Sequence, residues 1–309
     1  ELVDFVSPPA GSGTAGPAPV RPPVPAPLFF KGRIDGSWSV SSYSRLAASL
    51  PASVAAAPAL SEQPEEEMSV FTFPRGPGAG NCLHGLLETL DFSVIPGKET
   101  AGLIPDRLRA AGIDDRWAFV VETWLEQIVA TRLLEGSDLR LQLLSRRDRL
   151  SETGFYFPLR RMEAQAFNAV LTEYGVEPVD VTAGLLNGLM TGYIDLVFRA
   201  GGRYYIADYK SNHLGPDYHA YGRESLAEAV RAHRYDLQYL IYTVALHRFL
   251  GRRLPAYDYA EHFGGVFYLF LRGMHPDLGP DSGVWHVRPE RRLVERLDRC
   301  FGGEEGSCA

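Results

Sequence analysis

The segment that most constrains this chain is Gly192-Tyr-Ile-Asp195-Leu-Val-Phe, followed a short turn later by Tyr205-Ile-Ala-Asp208-Tyr-Lys210-Ser-Asn. Residues 193–198 and 204–209 are rich in aromatic and branched side chains, and Ala200-Gly201-Gly202 between them supplies turn chemistry. A β-hairpin is the natural reading. Period-two alternation puts Asp208 and Lys210 on one face of the second strand and Tyr209 on the other. Two acids and an amine therefore stand in apolar runs that ask for no charge. Held side by side, they can grip a divalent metal and a phosphate together. A buried salt bridge would explain one acid and the lysine, but not a second acid in the partner strand. Desolvating three charges is expensive, so the functional reading outweighs the structural one.

Composition sets the frame for that hairpin. The chain has 309 residues, 45% hydrophobic and 22% charged, ordinary for a globular protein, and long enough for one large core or one core plus an appended segment. It starts at Glu1 rather than Met, with nothing resembling a signal peptide, so it is expected to be a piece of a longer protein. No apolar run reaches the ~18 residues needed to span a bilayer. Cys82, Cys300 and Cys308 form no close-spaced pair and suggest neither a disulfide framework nor a zinc site, which fits a reducing cytoplasm. The net charge of −7 argues against wholesale coating of nucleic acid. Basic clusters exist at Arg140 with Arg146, Arg147 and Arg149, at Arg160-Arg161, and at His247-Arg248 with Arg252-Arg253, but such clusters are mostly solvated faces.

Residues 1–27 are rich in proline and glycine and read as an extended interdomain linker, leaving 28–309 as one domain. A second flexible piece is expected from Pro51 to Pro64, ending in Glu65-Glu66-Glu67; between the two, the stretch from Trp38 to Leu46 should pack onto the body. From Gly78 the chain becomes periodic. Asn81-Cys-Leu-His84-Gly-Leu-Leu-Glu88 has helical spacing behind a glycine-rich turn. Asp115 to Leu134 reads as a second helix, with Phe119, Val120, Trp124, Ile128 and Leu133 for a core. Phe155-Tyr-Phe-Pro158 reads as a short strand preceded by Glu152, and Arg161 to Tyr174 as a helix. A long helix is expected from Leu226 to Leu250, a buried strand at Gly264 to Leu271, and a last helix from Glu290 to Arg299 before a glycine-rich tail. The order implies an α/β domain with a mixed central sheet.

Six pieces of this chain carry a family resemblance. They are Leu83-His84-Gly-Leu-Leu-Glu88, Glu152-Thr-Gly-Phe-Tyr-Phe-Pro158, Gly192-Tyr-Ile-Asp195, Asp208-Tyr209-Lys210, Arg234-Tyr-Asp-Leu-Gln238-Tyr-Leu-Ile-Tyr242, and His262-Phe-Gly-Gly onward to Arg272-Gly. In this order, from Gly78 to about Gly273, the set resembles the PD-(D/E)XK nuclease superfamily, and within it the RecB-type nuclease domain. The resemblance implies a restriction-endonuclease-like core, a mixed sheet flanked by helices, with an additional N-terminal helical region. It implies metal-dependent hydrolysis of DNA in double-strand-break repair by homologous recombination, of exodeoxyribonuclease V type. It also implies a helicase motor upstream and RecC-like and RecD-like partner subunits.

The chemistry suits the residue types. Phosphodiester hydrolysis needs charge neutralised on the phosphate, a water deprotonated near neutral pH and a stabilised leaving oxygen, much of which divalent cations supply. Asp195 and Asp208 are the evident carboxylate ligands. By resemblance, His84 and the backbone carbonyl of Tyr209 complete the shell. Magnesium takes nitrogen less readily than oxygen, so Mn2+ could serve beside Mg2+. The same resemblance assigns Lys210 to the attacking water or the phosphate, Glu152 to assisting the metal or a second one, and Gln238 and Tyr242, at i and i+4, to DNA contact. Taken alone, His84 could be a satisfied core histidine, Glu152 a capping or pairing acid, and Gln238 with Tyr242 a half-buried helix face. Glu88 is read as structural.

Three scattered cysteines cannot hold the iron–sulfur cluster of some related nucleases. Pro96-Gly-Lys-Glu lacks the earlier glycine and the hydroxyl of a phosphate loop, so no nucleotide-binding site is encoded. Two other readings compete: an inactive nuclease-fold module that docks partner subunits, and a hydrolase of small phosphate esters. The intact acid–acid–lysine set speaks against the first, and the long helix motif against the second.

Overall fold

The computed structural model describes residues 38–43, 46, 67–180 and 185–302. The expected linker at 1–27, the proline-rich piece at 51–64 and the glycine-rich tail lie outside these residues. In chain order the elements are β1 (Trp38–Ser42), α1 (Pro77–Thr89), α2 (Lys98–Ala110), α3 (Ala118–Ala130), β2 (Arg149–Glu163), α4 (Ala164–Glu173), β3 (Leu185–Ala200), β4 (Arg203–Lys210), α5 (Arg223–Ala232), α6 (Tyr235–Arg253), α7 (Tyr259–His262), β5 (Phe263–Phe270), β6 (Val284–Val287) and α8 (Arg291–Gly302).

The expected hairpin is β3–β4, antiparallel from Ala200↔Arg203 to Leu196↔Ala207. Its turn carries positive φ at both Gly201 and Gly202, the combination a two-residue turn needs to follow the twist of its strands. Among the described residues the strands make one mixed sheet in the order β1-β3-β4-β5-β6, with β2 also paired to β3. β1 runs parallel to β3 and its pairing stops at Ser42↔Thr191. On that edge of β3, residues 192–195 therefore lie between two partners, past the end of one and short of the other. The notch opens where β3 and β4 part, one residue before Asp195 and Asp208.

Two apolar layers clamp the sheet. On one face α1, α2 and α3 pack Leu83, Leu86, Trp124 and Ile128 against Leu196, Phe198, Ala207 and Phe267. On the other, α4, α6 and α8 pack Phe167, Leu240 and Val294 against Met190, Val197, Ile206 and Val266. Each fully buried side chain of this size contributes roughly 1.5–3 kcal/mol, so the sheet is a rigid base for what its notch displays. The indole of Trp124 donates to the Leu271 carbonyl at 2.8 Å, which removes the penalty of burying it.

Several expectations need correction. The Asp115–Leu134 helix is a short turn at Asp115–Trp117 followed by α3. Phe119 is 77% exposed, and Val121 and Leu125 take the buried positions instead. Packing against α2, which the pattern did not reveal, sets that helical phase. The short strand at 155–158 is part of the 15-residue β2, which contains Glu152 and runs to Glu163, so α4 starts only at Ala164. The single helix expected at 226–250 is two, α5 and α6, broken at Arg234 in a left-handed backbone conformation (φ 55°). Such a residue costs about 1–2 kcal/mol without glycine. Here the buried guanidinium offsets it by donating to the Glu177 and Pro178 carbonyls and pairing with Asp236. Cys82 is buried and free, whereas Cys300 is disulfide-bonded, contrary to the reading of the cysteines. Among the described residues no helix is long and apolar enough to cross a membrane.

Candidate active site

Three side chains meet in the notch. Asp195 stands where β3 leaves β4, and its Oδ2 accepts the Tyr209 backbone N–H at 2.7 Å. His84, on the third turn of α1, brings Nδ1 to 3.4 Å from the same oxygen. Glu152 comes from β2. The register pairs Ser151 with Leu196 and Thr153 with Ile194, so Glu152 lies directly across from Asp195. Glu152 has a left-handed backbone (φ 46°), a strain of the kind that clusters at functional sites. One ligand atom from each of His84, Glu152 and Asp195 falls within 4.8 Å of the others. A nitrogen and two carboxylates at that spacing suit a divalent cation.

The electrostatics agree. Burial, and after it the Asp208 carboxylate, push Asp195 up to about 8, against the pull of the Tyr209 N–H. Burial, then Glu88 and then Asp208, likewise raise Glu152. Glu88, read from the sequence as structural, thus adds its charge to the same region. Burial lowers the pKa of His84, with Lys210 adding to that and Asp208 opposing it, so near neutral pH its imidazole keeps a lone pair for a ligand. The two carboxyls have one imidazole and one backbone N–H beside them.

Beside it lies a second, closed arrangement. Asp208 is 3% exposed and pairs with Lys210 at 2.5 Å. Lys210 also donates to Gln238 Oε1 at 3.0 Å and lies over the rings of Tyr235 (3.9 Å) and Tyr268 (4.9 Å). Burial is the largest influence and opposes its charge, but the Asp208 carboxylate together with Tyr235 and Asp195 leaves the lysine pKa raised. Gln238 in turn donates to Tyr242 Oη at 3.0 Å, and both are buried. Tyr268 Oη donates to the Tyr235 carbonyl at 2.7 Å, and also stands 3.0 Å from Gln238 Oε1.

Every residue singled out in the sequence therefore lies at or next to the notch. The structure joins His84, Glu152 and Asp195 in one group, and Asp208, Lys210, Gln238 and Tyr242 in another. Tyr209 links to Asp195 through its N–H. The sequence reading missed Tyr235 and Tyr268, which flank the lysine. Tyr268 had a signal: it is a polar-tipped residue in the middle of the otherwise apolar β5.

The family is decided by the sequence comparison. A family model described as the PD-(D/E)XK nuclease superfamily matches residues 60–298. The chain belongs to that superfamily. Its fold, a mixed six-stranded sheet flanked by helices, is the PD-(D/E)XK fold. The chain is similar to the RecBCD enzyme subunit RecB of Escherichia coli (strain K12), 38% identical over 247 residues, covering 77% of this chain and 20% of that protein. RecB of Haemophilus influenzae is 40% identical over 240 residues, covering 77% and 19%. RecB of Mycolicibacterium smegmatis is 33% identical over 351 residues, covering 92% and 31%. The chain thus matches about a fifth of the length of the first two relatives.

Proposed function

We propose that this chain is the nuclease module of a RecB-type helicase–nuclease subunit and hydrolyses DNA phosphodiester bonds during recombinational repair of double-strand breaks. The observation that most supports the reading is the convergence of His84, Glu152 and Asp195 beside the Asp208–Lys210 pair. In this reading the module works with RecC-like and RecD-like subunits in the cytoplasm. The helicase part belongs to the remainder of such a subunit, joined through the proline-rich residues 1–27.

The residues present fit a divalent cation, because His84, Glu152 and Asp195 each bring a ligand atom within 4.8 Å of the others, and burial, then the Asp208 carboxylate, raises the Asp195 pKa. We assign Mg2+, with Mn2+ as an alternative, to His84, Asp195, Asp208 and the Tyr209 carbonyl, with Glu152 assisting. A divalent cation there neutralises phosphate charge and lowers the pKa of a bound water. Lys210 is held in one position by Asp208, Gln238 and two aromatic rings, so its ammonium can orient the attacking water or stabilise the phosphate without reorganising. Gln238 and Tyr242 act on DNA first through Lys210, and the DNA contact assigned to them uses the small part of each that stays exposed.

The test is cleavage of linear DNA with Mg2+, beside free nucleotides and small phosphate esters as alternative substrates. Asp208→Ala and Lys210→Ala should each lower the rate at least about a hundredfold while the circular-dichroism spectrum is kept. Undiminished cleavage by both variants sinks the reading. A wild-type chain that binds partner subunits but neither binds metal nor cuts would be the inactive docking module instead.

A further inference from the structure

Next to the metal-ligand cluster, and sharing His84 with it, lies an open cavity of about 380 Å³. One wall is the start of α1 with the residue pair before it, contributing Arg75 and Asn81; the other is Ser211, Asn212 and His213, which directly follow Lys210. The rest of the lining is two glycines and a proline. In a chain of net charge −7, this lining holds an arginine and two histidines but neither Asp nor Glu.

Arg75 is exposed, and its Nη2 lies 2.9 Å from His213 Nε2. Burial, then Arg75 and then Arg272, lower the pKa of His213, which keeps that nitrogen an acceptor. A guanidinium has five N–H donors, and a neutral imidazole occupies one of them. Among the described residues no carboxylate pairs with Arg75.

Both walls are fixed by one residue. Arg272, 1% exposed, donates Nη2 to the Pro74 carbonyl at 2.9 Å, Nε to the Ser211 carbonyl at 3.3 Å and Nη1 to the Val70 carbonyl. The Tyr221 hydroxyl further ties the second wall, donating to the Asn212 carbonyl at 3.3 Å and accepting from Leu214 N–H at 3.1 Å. The walls touch at the base, since a Cβ on Gly80 would lie 3.0 Å from Ser211 Oγ. The cavity is therefore built rather than incidental, and its second wall directly follows Lys210 in the chain.

We propose that this cavity is a subsite for a DNA backbone phosphate next to the scissile one, gripped by the Arg75 guanidinium. The proposal rests on the nuclease reading above. A polynucleotide carries a phosphate at every nucleotide, so a strand whose scissile phosphate is at Lys210 presents a neighbouring anion to the adjoining wall. Arg75 matches it by charge and by its unused donors.

The experiment measures binding of a short fluorescent DNA oligonucleotide to the full chain in an Asp208→Ala background. There, Arg75→Ala should weaken affinity and reduce the slope of log K against log salt by about one, the signature of one lost phosphate contact. Arg75→Lys should keep the slope, because the charge remains. Neutral methylphosphonates introduced one at a time should weaken binding at one position beside the cut, and Arg75→Ala should erase that sensitivity. In the cleavage-competent chain the loss should fall mainly on KM. A wild-type salt slope in Arg75→Ala, or a methylphosphonate profile that the variant leaves intact, overturns the proposal. So does loss of inorganic phosphate binding with oligonucleotide affinity unchanged, which would mark a free-anion site. Absence of cleavage in the otherwise wild-type chain refutes the nuclease reading, whereas cleavage with Arg75→Ala indifferent refutes only the subsite.

Discussion

The two halves of the notch differ in how completely the protein satisfies them. Around Lys210 every charge has a partner: Asp208 at 2.5 Å, Gln238 at 3.0 Å and two aromatic rings over the ammonium. Around Asp195 there is one backbone N–H, an imidazole at 3.4 Å and further carboxylates. The first half is a finished ion pair, rigid and ready to act. The second is short of positive charge, which a cation can supply. A chain built only for stability would not keep carboxylates this way, because like charges raise one another's pKa.

The sharpest way to break that contrast is Asp195→Asn. It should lower Mg2+ or Mn2+ affinity by about a hundredfold or more in isothermal titration, since a charged ligand is lost. Cation affinity equal to wild type would remove Asp195 from the assigned shell.

The same contrast predicts a pH signature in the metal-free chain. The folded pKa of Asp195, about 8, lies above its unfolded value near ~3.9. Its contribution to stability is therefore fully present below pH ~4 and lost as pH rises through about 8. Asp195→Asn removes this loss, so thermal melts should show its advantage over wild type growing between pH 5 and 8. An advantage on the order of 1–3 kcal/mol corresponds to several degrees. Added Mg2+ should narrow the gap by stabilising the wild type. A gap independent of pH would mean that Asp195 is already compensated within the protein.

The smallest effect should come from the satisfied half. Tyr268→Phe removes one hydroxyl that serves the Tyr235 carbonyl and neighbours Gln238, while keeping the ring over Lys210. It should cost about 1 kcal/mol of stability in urea unfolding and only a few-fold in cleavage. A loss as large as that of Lys210→Ala would show that the hydroxyl, rather than Asp208, fixes the lysine.

Much of this was legible in the sequence wherever local chemistry and tertiary demand coincide. The hairpin showed through its aromatic and branched strands and its paired glycines, and β5 through an unbroken apolar run. Asp195, Asp208 and Lys210 stood out because charge interrupts those runs. Elsewhere the local signal ran out. α2 carries Pro105 inside it and is polar on average, so its helical periodicity is weak. Phe119 and Val121 are both apolar, and only the neighbouring helix decides which is buried. The break at Arg234 has no glycine or proline to announce it, because carbonyls more than fifty residues away hold it.

The sequence by itself therefore determined which residues carry charge into the sheet and on which strands, since alternation and turn chemistry are local properties. Only the tertiary structure decided how those charges are shared. Glu152 joins His84 and Asp195 because β2 runs antiparallel to β3 in one register and turns through a left-handed residue. Asp208 faces Lys210 because α6 and β5 surround that lysine with Gln238, Tyr235 and Tyr268. Arg272, distant in sequence from both walls of the neighbouring cavity, binds them together. Contacts between distant segments depend on how the layers close on the sheet, and no local pattern encodes that.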